Sequence, residues 1–262
     1  MAKVLVVFGS KSDETVFNGI TDELAKLGVP FEARVCSAHR TPDDLLELLK
    51  KDFDVVITGA GLAAHLPGVV ASKVIRPIIG VPVNSNFEGL DSLLSIMQMP
   101  PGIPVMSVGV GNGKGAATYA ALMLKPYKAV YLQGDESGNA FKKAIETLEE
   151  FGVPYETNAS FESNQLTIKF VGLDEPAENR DDLIIYVPLA KPGEDKALAS
   201  LNILKNSQNG LWVGLNRGEN AALAAVKIMN LNGSFTEKIK KFRKTQADKV
   251  RKDDAEVRGR KK

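Results

Sequence analysis

The sequence predicts an α/β fold: a three-layer sandwich in which helices cover both faces of a parallel sheet, arranged as two similar lobes. Three observations predict it. Short β-branched and apolar runs alternate with segments whose apolar residues recur at helical spacing. A pattern of glycines and prolines recurs between the two halves of the chain. Finally, 262 residues with 44% hydrophobic and 25% charged residues are enough for one or two globular domains.

The first half alternates strictly between strands and helices. The predicted strands are residues 4–8, 31–35, 54–58, 76–83 and 105–108, and the predicted helices are residues 15–27, 43–51, 69–73, 90–97 and 116–124. The first strand is a continuous apolar run, as expected for a strand covered on both faces. In an open parallel sheet, ligands bind beyond the carboxyl ends of the strands. The turns that follow the first three strands are therefore the candidate site.

The first of these turns, Gly9 to Asp13, brings two serines to the start of a helix. Backbone N–H groups and the positive end of the helix favour an anion there, and Ser10 and Ser12 add hydroxyl donors. Asp13 would repel a phosphate, so we expect it to accept a hydrogen bond from a sugar hydroxyl or to cap the helix. A simpler interpretation, in which these residues are only helix caps, stays open.

The second turn, Ser37 to Pro42, holds His39 and Arg40. A histidine gives and takes protons near neutral pH, and an arginine beside it can bind a phosphate or carboxylate with two parallel hydrogen bonds. Pro42 suits the first position of a helix, with Thr41 as its cap. The alternative is an ordinary turn whose charged side chains are only solvated.

The third turn is a run of small residues from Gly59 to Gly68. Glycines in such a run let the backbone approach a planar ligand closely. The alternative is a tight turn into a small-residue helix, with His65 as a local hydrogen-bonding group. The candidate binding residues in this run are Gly59, Gly61, Ala63, His65 and Leu66.

An internal repeat divides the chain. Gly9 and the sequence Gly28-Val29-Pro30 have counterparts in Gly134 and Gly152-Val153-Pro154, at offsets of 125 and 124. The second copy is shorter by roughly 17 residues between its second and fourth strands, and no histidine follows position 65. Asp135 and Glu136 stand where the first copy has Ser10 and Lys11, and two carboxylates would repel a phosphate there.

The repeat predicts three regions. We expect a catalytic domain at residues 1–125, a degenerate repeat of the same fold at 126–235, and a basic helix and tail at 236–262. A second site with a new specificity, built on Arg217 or Lys191, is the less favoured alternative. Residues 237–262 carry twelve Lys or Arg against five Asp or Glu, which is typical of a docked helix with a solvated basic face. Because acidic residues are interspersed, a nucleic-acid or membrane role for this region is less favoured.

Composition excludes several classes of function. The single cysteine, Cys36, allows no intrachain disulfide framework and favours a reducing compartment such as the cytoplasm. One cysteine and two histidines offer little to zinc, so no metal site is expected. The net charge of +1 indicates no nucleic-acid footprint. Since no stretch of about 18 apolar residues occurs, we expect no membrane span.

The motifs of the first half closely resemble the N5-carboxyaminoimidazole ribonucleotide mutase family, also called the catalytic subunit of phosphoribosylaminoimidazole carboxylase. The matching stretches are residues 9–13, 37–42, 60–68, 80–83, 90–100 and 102–105. The resemblance covers about residues 3–124, resumes weakly in the second half, and returns at 242–250, which is similar to the family's terminal helix. Several long motifs in the same order are far more specific than any one glycine loop.

The resemblance implies a flavodoxin-like fold and a role for each candidate residue. Ser10, Ser12 and Arg40 would bind the nucleotide phosphate, Asp13 the ribose, and His39 would be the general acid and base. Ser37 and the loop from Gly59 to Leu66 would complete the substrate site, with the loop covering the imidazole ring. No metal, ATP or organic cofactor is implied. The implied reaction moves a carboxylate from the exocyclic nitrogen to carbon 4 of the ring, with carbon dioxide as the intermediate.

Some features depart from the family or leave alternatives open. Glu14 stands where bacterial members often have Trp. Family members that carboxylate the unmodified ribonucleotide with free carbon dioxide tend to have Lys after the histidine, so Arg40 favours the mutase. A non-catalytic nucleotide-binding or scaffold protein is the other alternative. The family's usual octamer implies a homo-oligomer here, such as a tetramer of two-lobe chains.

Overall fold

One continuous sheet of ten strands runs through the computed structural model, which describes residues 3–159, 164–178 and 182–259. The strands are β1 Val4–Phe8, β2 Phe31–Val35, β3 Val55–Ala60, β4 Ile78–Pro82, β5 Met106–Ser107, β6 Val130–Gln133, β7 Tyr155–Thr157, β8 Leu166–Gly172, β9 Leu183–Leu189 and β10 Leu211–Trp212. The helices are α1 Glu14–Lys26, α2 Pro42–Leu48, α3 His65–Lys73, α4 Leu90–Met97, α5 Gly113–Met123, α6 Asn139–Phe151, α7 Lys196–Asn206, α8 Gly218–Met229 and α9 Thr236–Gly259.

The two halves of the sheet have the same strand order. The full order is β2-β1-β3-β4-β5-β10-β9-β8-β6-β7, so each half reads second, first, third, fourth, fifth from its outer edge inward. Pairing within each half is parallel, and the halves join through an antiparallel pair in which Trp212 lies opposite Ser107. The predicted α/β fold with two similar lobes is therefore confirmed.

Alternate residues of the central strands pack into different cores, which makes the fold three-layered. Val4 and Val6 of β1 pack in one cluster with Ile20 of α1, whereas Leu5 packs in another with Leu45 of α2. Side chains alternate across a strand, so an apolar run must be covered on both faces. Helices on both faces cover it, as the sequence predicts.

Two asparagines join the halves. The side chain of Asn112, before α5, donates to the backbone oxygen of Gln208 at 2.8 Å. Asn220, at the start of α8, is buried and bonds to the loop before β5. Its amide donates to the oxygens of Met99 (3.3 Å) and Pro100 (3.0 Å) and accepts from the nitrogen of Gly102 (2.8 Å). These bonds hold the start of each half's last helix against a loop of the other half.

Helix α9 crosses both halves. Ile239 is buried, and the Phe242 ring lies 5.7 Å from the ring of Phe151 in α6. Arg243 donates to the backbone oxygen of Ala71 in α3. From residue 248 to 259 every side chain is exposed. This agrees with a docked helix whose basic face is solvated, while positions 260–262 of the expected tail lie outside the described residues.

The second half has short connections where the first half has α2 and α3. Residues 158–165 join β7 to β8, and 173–182 join β8 to β9, against 36–54 and 61–77 in the first half. The described residues of these two connections form no helix. This is the shortening that the sequence offsets predict.

Several predicted boundaries were wrong. Helix α2 ends at Leu48 rather than at residue 51, and β5 shortens to two residues. Helix α3 begins at His65 rather than at 69, since left-handed backbone at Leu62 (φ 55°) and Ala64 (φ 39°) turns the chain early. Within the described ranges, no helix combines the length and apolar character needed to cross a bilayer.

Candidate active site

The segments that follow β1, β2, β3 and β4 enclose a cavity of about 510 Å³. Ten predicted residues from three of these segments line it: Ser10, Ser12, Asp13, Ser37, His39, Arg40, Gly61, Ala63, His65 and Leu66. They converge because parallel neighbouring strands present their carboxyl ends at one edge of the sheet. The cavity has the volume of a small-ligand site.

Gly59 is the one predicted site residue that does not line this cavity. It belongs to β3, and a β-carbon there would lie 2.3 Å from a ring carbon of Phe8 and 2.7 Å from the oxygen of Val81. The position therefore requires glycine for packing inside the sheet. Gly59 lies inside β3 rather than in the loop because the strand extends to Ala60, two residues further than predicted.

The Ser10 turn is organised by its own hydroxyl. Its Oγ accepts from the nitrogen of Ser12 at 3.2 Å and lies 2.9 Å from the Ser12 Oγ. Asp13 takes the position before α1 without capping it, and its Oδ1 lies 3.2 Å from the Ser12 hydroxyl. Burial raises the pKa of Asp13, and the Ser12 hydrogen bond opposes that rise in part. Hydroxyls and one half-buried carboxyl group thus face the cavity.

The turn that carries His39 is closed by two hydroxyls. Ser37 Oγ accepts from the backbone nitrogens of His39 (3.4 Å) and Arg40 (3.2 Å). Thr41 was expected to cap α2, but its side chain makes no capping bond. Its hydroxyl instead accepts from the Ser37 nitrogen at 3.0 Å and donates to the Ser37 oxygen at 3.3 Å. Pro42 is the first residue of α2, as predicted.

Arg40 links the second turn to the first. Its Nη2 donates to the backbone oxygen of Gly9 at 3.0 Å, which brings the guanidinium beside the serine turn. Ser10, Ser12 and Arg40 therefore lie on one side of the cavity. A guanidinium and two hydroxyls that line one cavity are suitable hydrogen-bond donors for an anionic group such as a phosphate.

The only two histidines of the chain meet in the cavity. His39 Nε2 lies 3.1 Å from His65 Nδ1, and the rings meet edge to face with centroids 5.1 Å apart. One nitrogen must donate and the other accept, so this contact fixes the tautomer of each ring relative to the other. Both residues are predicted at the site from the sequence, but their pairing is not.

Sequence reasoning also missed the wall that follows β4. Val83, Asn84 and Ser85 line the cavity. The order of the strands could have predicted this wall, because β4 neighbours β3 in a parallel sheet and its carboxyl end must reach the same edge. In the described part of the chain, no three His, Cys, Asp or Glu side chains are grouped to hold a metal ion. The lining instead offers hydroxyls, a guanidinium and paired imidazoles.

The fold and the cavity define a class: an α/β protein whose cavity, at the carboxyl edge of its sheet, is lined by hydroxyls, a guanidinium and two imidazoles. A model of the AIR carboxylase family matches residues 3–133, half of the chain. The chain belongs to this family.

Curated relatives agree with the family match. The chain is 50% identical over 122 residues to the N5-carboxyaminoimidazole ribonucleotide mutase of Methanocaldococcus jannaschii, covering 46% of this chain and 78% of the relative. It is 50% identical over 129 residues to the Saccharolobus solfataricus protein of the same name, covering 47% and 82%. Among solved structures, Treponema denticola PurE matches at 29% identity and a TM-score of 0.42, covering 47% of this chain and 81% of that one.

Proposed function

We propose that the first half of this chain converts N5-carboxyaminoimidazole ribonucleotide to 4-carboxy-5-aminoimidazole ribonucleotide in purine biosynthesis. The observation that carries the proposal is the convergence of His39, Arg40 and the Ser10–Ser12 turn on one cavity. The name shared by relatives about 50% identical to the chain supports the same reaction.

The substrate's phosphate would bind between the two turns. Ser10 and Ser12 donate hydroxyl protons, and the Arg40 guanidinium, 3.0 Å from the Gly9 oxygen, supplies the positive charge. Asp13 then accepts from a ribose hydroxyl. The raised pKa of Asp13 reflects burial, and a hydroxyl donor would stabilise its ionised form.

The loop of residues 61–64 would cover the imidazole ring. Its residues are small apart from Leu62, whose side chain is 58% exposed and free to contact a bound ring. Closing this loop over the ring excludes water from the reacting atoms. It also keeps released carbon dioxide beside carbon 4.

The chemistry requires one proton carrier. As the bond between the exocyclic nitrogen and the carboxylate carbon breaks, its electrons stay on nitrogen, and His39 supplies a proton there. Carbon 4 then attacks the released carbon dioxide, and His39 takes the carbon 4 proton back, so protons balance. The contact with His65 couples the tautomer of His39 to that of His65.

Two turnover assays on the purified chain test the proposal. One offers the N-carboxylated ribonucleotide without added bicarbonate, and the other offers the unmodified ribonucleotide over a range of bicarbonate concentrations. A mutase turns over the first efficiently and needs very high bicarbonate for the second. Efficient use of the second at modest carbon dioxide would make the chain a direct carboxylase. No turnover in either assay would favour a non-catalytic nucleotide-binding or scaffold role.

We also propose that the chain is a tandem duplication with regions 1–125, 126–235 and 236–262, acting in the cytoplasm as a homo-oligomer. The common strand order of the halves supports the duplication, and the single cysteine supports a reducing compartment. Four chains would supply eight lobes. A molecular mass of 28.2 kDa in sedimentation, that of a single chain, would contradict the proposed oligomer.

A further inference from the structure

A hydrogen-bonded relay runs from helix α4 to the loop of residues 61–64, which lines the cavity. Asp91 lies in the first turn of α4 and does not line the cavity, whereas Ser85 does. We propose that Asp91 is a positioning residue: acting through Ser85, it holds the loop of residues 61–64, and with it His65, in the geometry that the His39 reaction requires. This inference rests on the proposed function.

The direction of the relay follows from the chemistry of its groups. Ser85 Oγ lies 3.1 and 3.0 Å from the two carboxylate oxygens of Asp91. An ionised carboxylate only accepts, so Ser85 must donate its one proton to Asp91. The Ser85 oxygen is then oriented to accept, and the backbone nitrogen of Leu62 donates to it at 3.4 Å. Asp91 thereby fixes the rotamer of the side chain that accepts from the Leu62 amide.

The loop needs such an anchor because its backbone is strained. Leu62 and Ala64 both adopt left-handed conformations, with φ of 55° and 39°, which non-glycine residues rarely take without support. The other end of the turn is held by the Ala64 nitrogen, which donates to the Gly61 oxygen at 3.0 Å. Helix α3 starts at the next residue, His65. A shift at Leu62 therefore moves the imidazole that contacts His39.

Asp91 could instead serve only its own helix, because a carboxylate in the first turn stabilises the positive helix end. The second half offers a matched control for that role. Asp195 caps α7, the counterpart of α4, and its Oδ1 accepts from the nitrogens of Ala197 (3.0 Å) and Leu198 (3.1 Å). It has the helix-capping role and does not line the cavity of the first half.

The test compares Asp91→Ala, Ser85→Ala, the double variant and Asp195→Ala in the full chain. The readouts are kcat and KM with the N-carboxylated ribonucleotide, together with the thermal midpoint. We expect Asp91→Ala and Ser85→Ala each to lower kcat roughly 10-fold to 100-fold with a smaller change in KM, since misplaced groups chiefly affect the chemical step. The double variant should be no worse than the more impaired single one, because both remove the same link.

Two further variants separate positioning from charge and from stability. Asp91→Asn keeps an acceptor oxygen for Ser85 and should retain kcat within about 3-fold. Asp195→Ala should lower the thermal midpoint as Asp91→Ala does but leave kcat within about 2-fold. Equal kcat for Asp91→Ala and Asp195→Ala would overturn the inference, as would multiplicative losses in the double variant.

A measurement without turnover keeps the inference independent of the proposed function. Hydrogen exchange at the Leu62 amide should accelerate about 10-fold or more in both Asp91→Ala and Ser85→Ala, but not in Asp195→Ala. Unchanged exchange would overturn the relay. If the wild-type chain turned over neither ribonucleotide while the Leu62 exchange followed this pattern, the proposed function would fail and the relay would stand.

Discussion

The two halves of the sheet use the same turn after their first strands but place different groups in it: a neutral hydroxyl in the first half and a carboxylate in the second. In the first half, Ser10 Oγ accepts from the nitrogen of Ser12 at 3.2 Å; in the second, Asp135 Oδ1 accepts from the nitrogen of Ser137 at 2.9 Å. The Ser137 hydrogen bonds hold the pKa of Asp135 below its usual range, so it is ionised at neutral pH. A serine-to-aspartate difference on the same hydrogen-bonded turn thus places a negative charge where the first half has a neutral hydroxyl.

A second difference lies above that turn. In the first half the space is a cavity, whereas in the second the Asn158 side chain folds back onto Gly134. It accepts from the Gly134 nitrogen at 3.1 Å and donates to the Gly134 oxygen at 3.2 Å and to Glu136 Oε1 at 3.0 Å. The polar groups that would meet a ligand are satisfied within the chain. The comparison teaches that strand order supplies the location of a site, while the loops determine whether one exists.

The largest expected effect comes from His39→Asn. Removing the proton carrier should lower kcat by roughly 10²-fold to 10⁴-fold, while product binding changes only a few-fold, because the phosphate seat is intact. Steady-state turnover and calorimetric binding measure the two quantities. A loss below about 10-fold would contradict the assigned role of His39.

The next largest effect tests the difference between Ser10 and Asp135 directly. Ser10→Asp puts into the first half the aspartate that the second half has at Asp135. Repulsion of the phosphate should then lower kcat/KM by roughly 10²-fold, mainly through KM. The reciprocal variant Asp135→Ser is the control and should leave kcat/KM unchanged. If Asp135→Ser impaired turnover as strongly, the catalytic site would not be confined to the first half.

A smaller effect concerns the contact between the halves. Asn220→Ala leaves the backbone oxygens of Met99 and Pro100 and the buried nitrogen of Gly102 without the partner they have now, which should lower the free energy of unfolding by about 2–4 kcal/mol. Asn112→Ala removes one bond between the halves and a cap, and should lower it by about 1–2 kcal/mol. Urea unfolding measures both. Equal losses would show that Asn220 is not the stronger of the two links.

The smallest effect near neutral pH is a pH dependence that arises in the second half. Lys227 of α8 is 2% exposed and stands, by the repeat, where α5 has Leu122. Burial and the nearby charge of Arg243 lower the pKa of Lys227 to about 7.

The unfolded chain binds this proton up to a higher pH than the folded one, so stability should rise with pH above about 7, by at most about 1.4 kcal/mol per pH unit. Lys227→Met should raise the thermal midpoint most at pH 6 and flatten the rise above pH 7. A midpoint for the variant that follows the wild-type pH profile in parallel would contradict the assigned pKa.

Features of this molecule that are set by neighbouring residues in the sequence could be predicted, but side-chain contacts between separate loops could not. Apolar runs and turn residues located β1, α1 and the serine turn, because strand and helix periodicity are local properties. Thr41 was assigned to the wrong partner, since a hydroxyl at that position can bond forward into α2 or back to Ser37. The pairing of His39 with His65, 26 positions apart, required knowing how two loops turn.

The most direct test of the account is the number of nucleotide sites per chain. Calorimetric titration of the full chain with 4-carboxy-5-aminoimidazole ribonucleotide measures it, with Ser10→Asp as the matched variant. The account predicts one site for each 262-residue chain and a binding constant weakened roughly 10²-fold in Ser10→Asp. Two sites per chain, or one site that Ser10→Asp leaves unchanged, would contradict the claim that only the first half binds substrate.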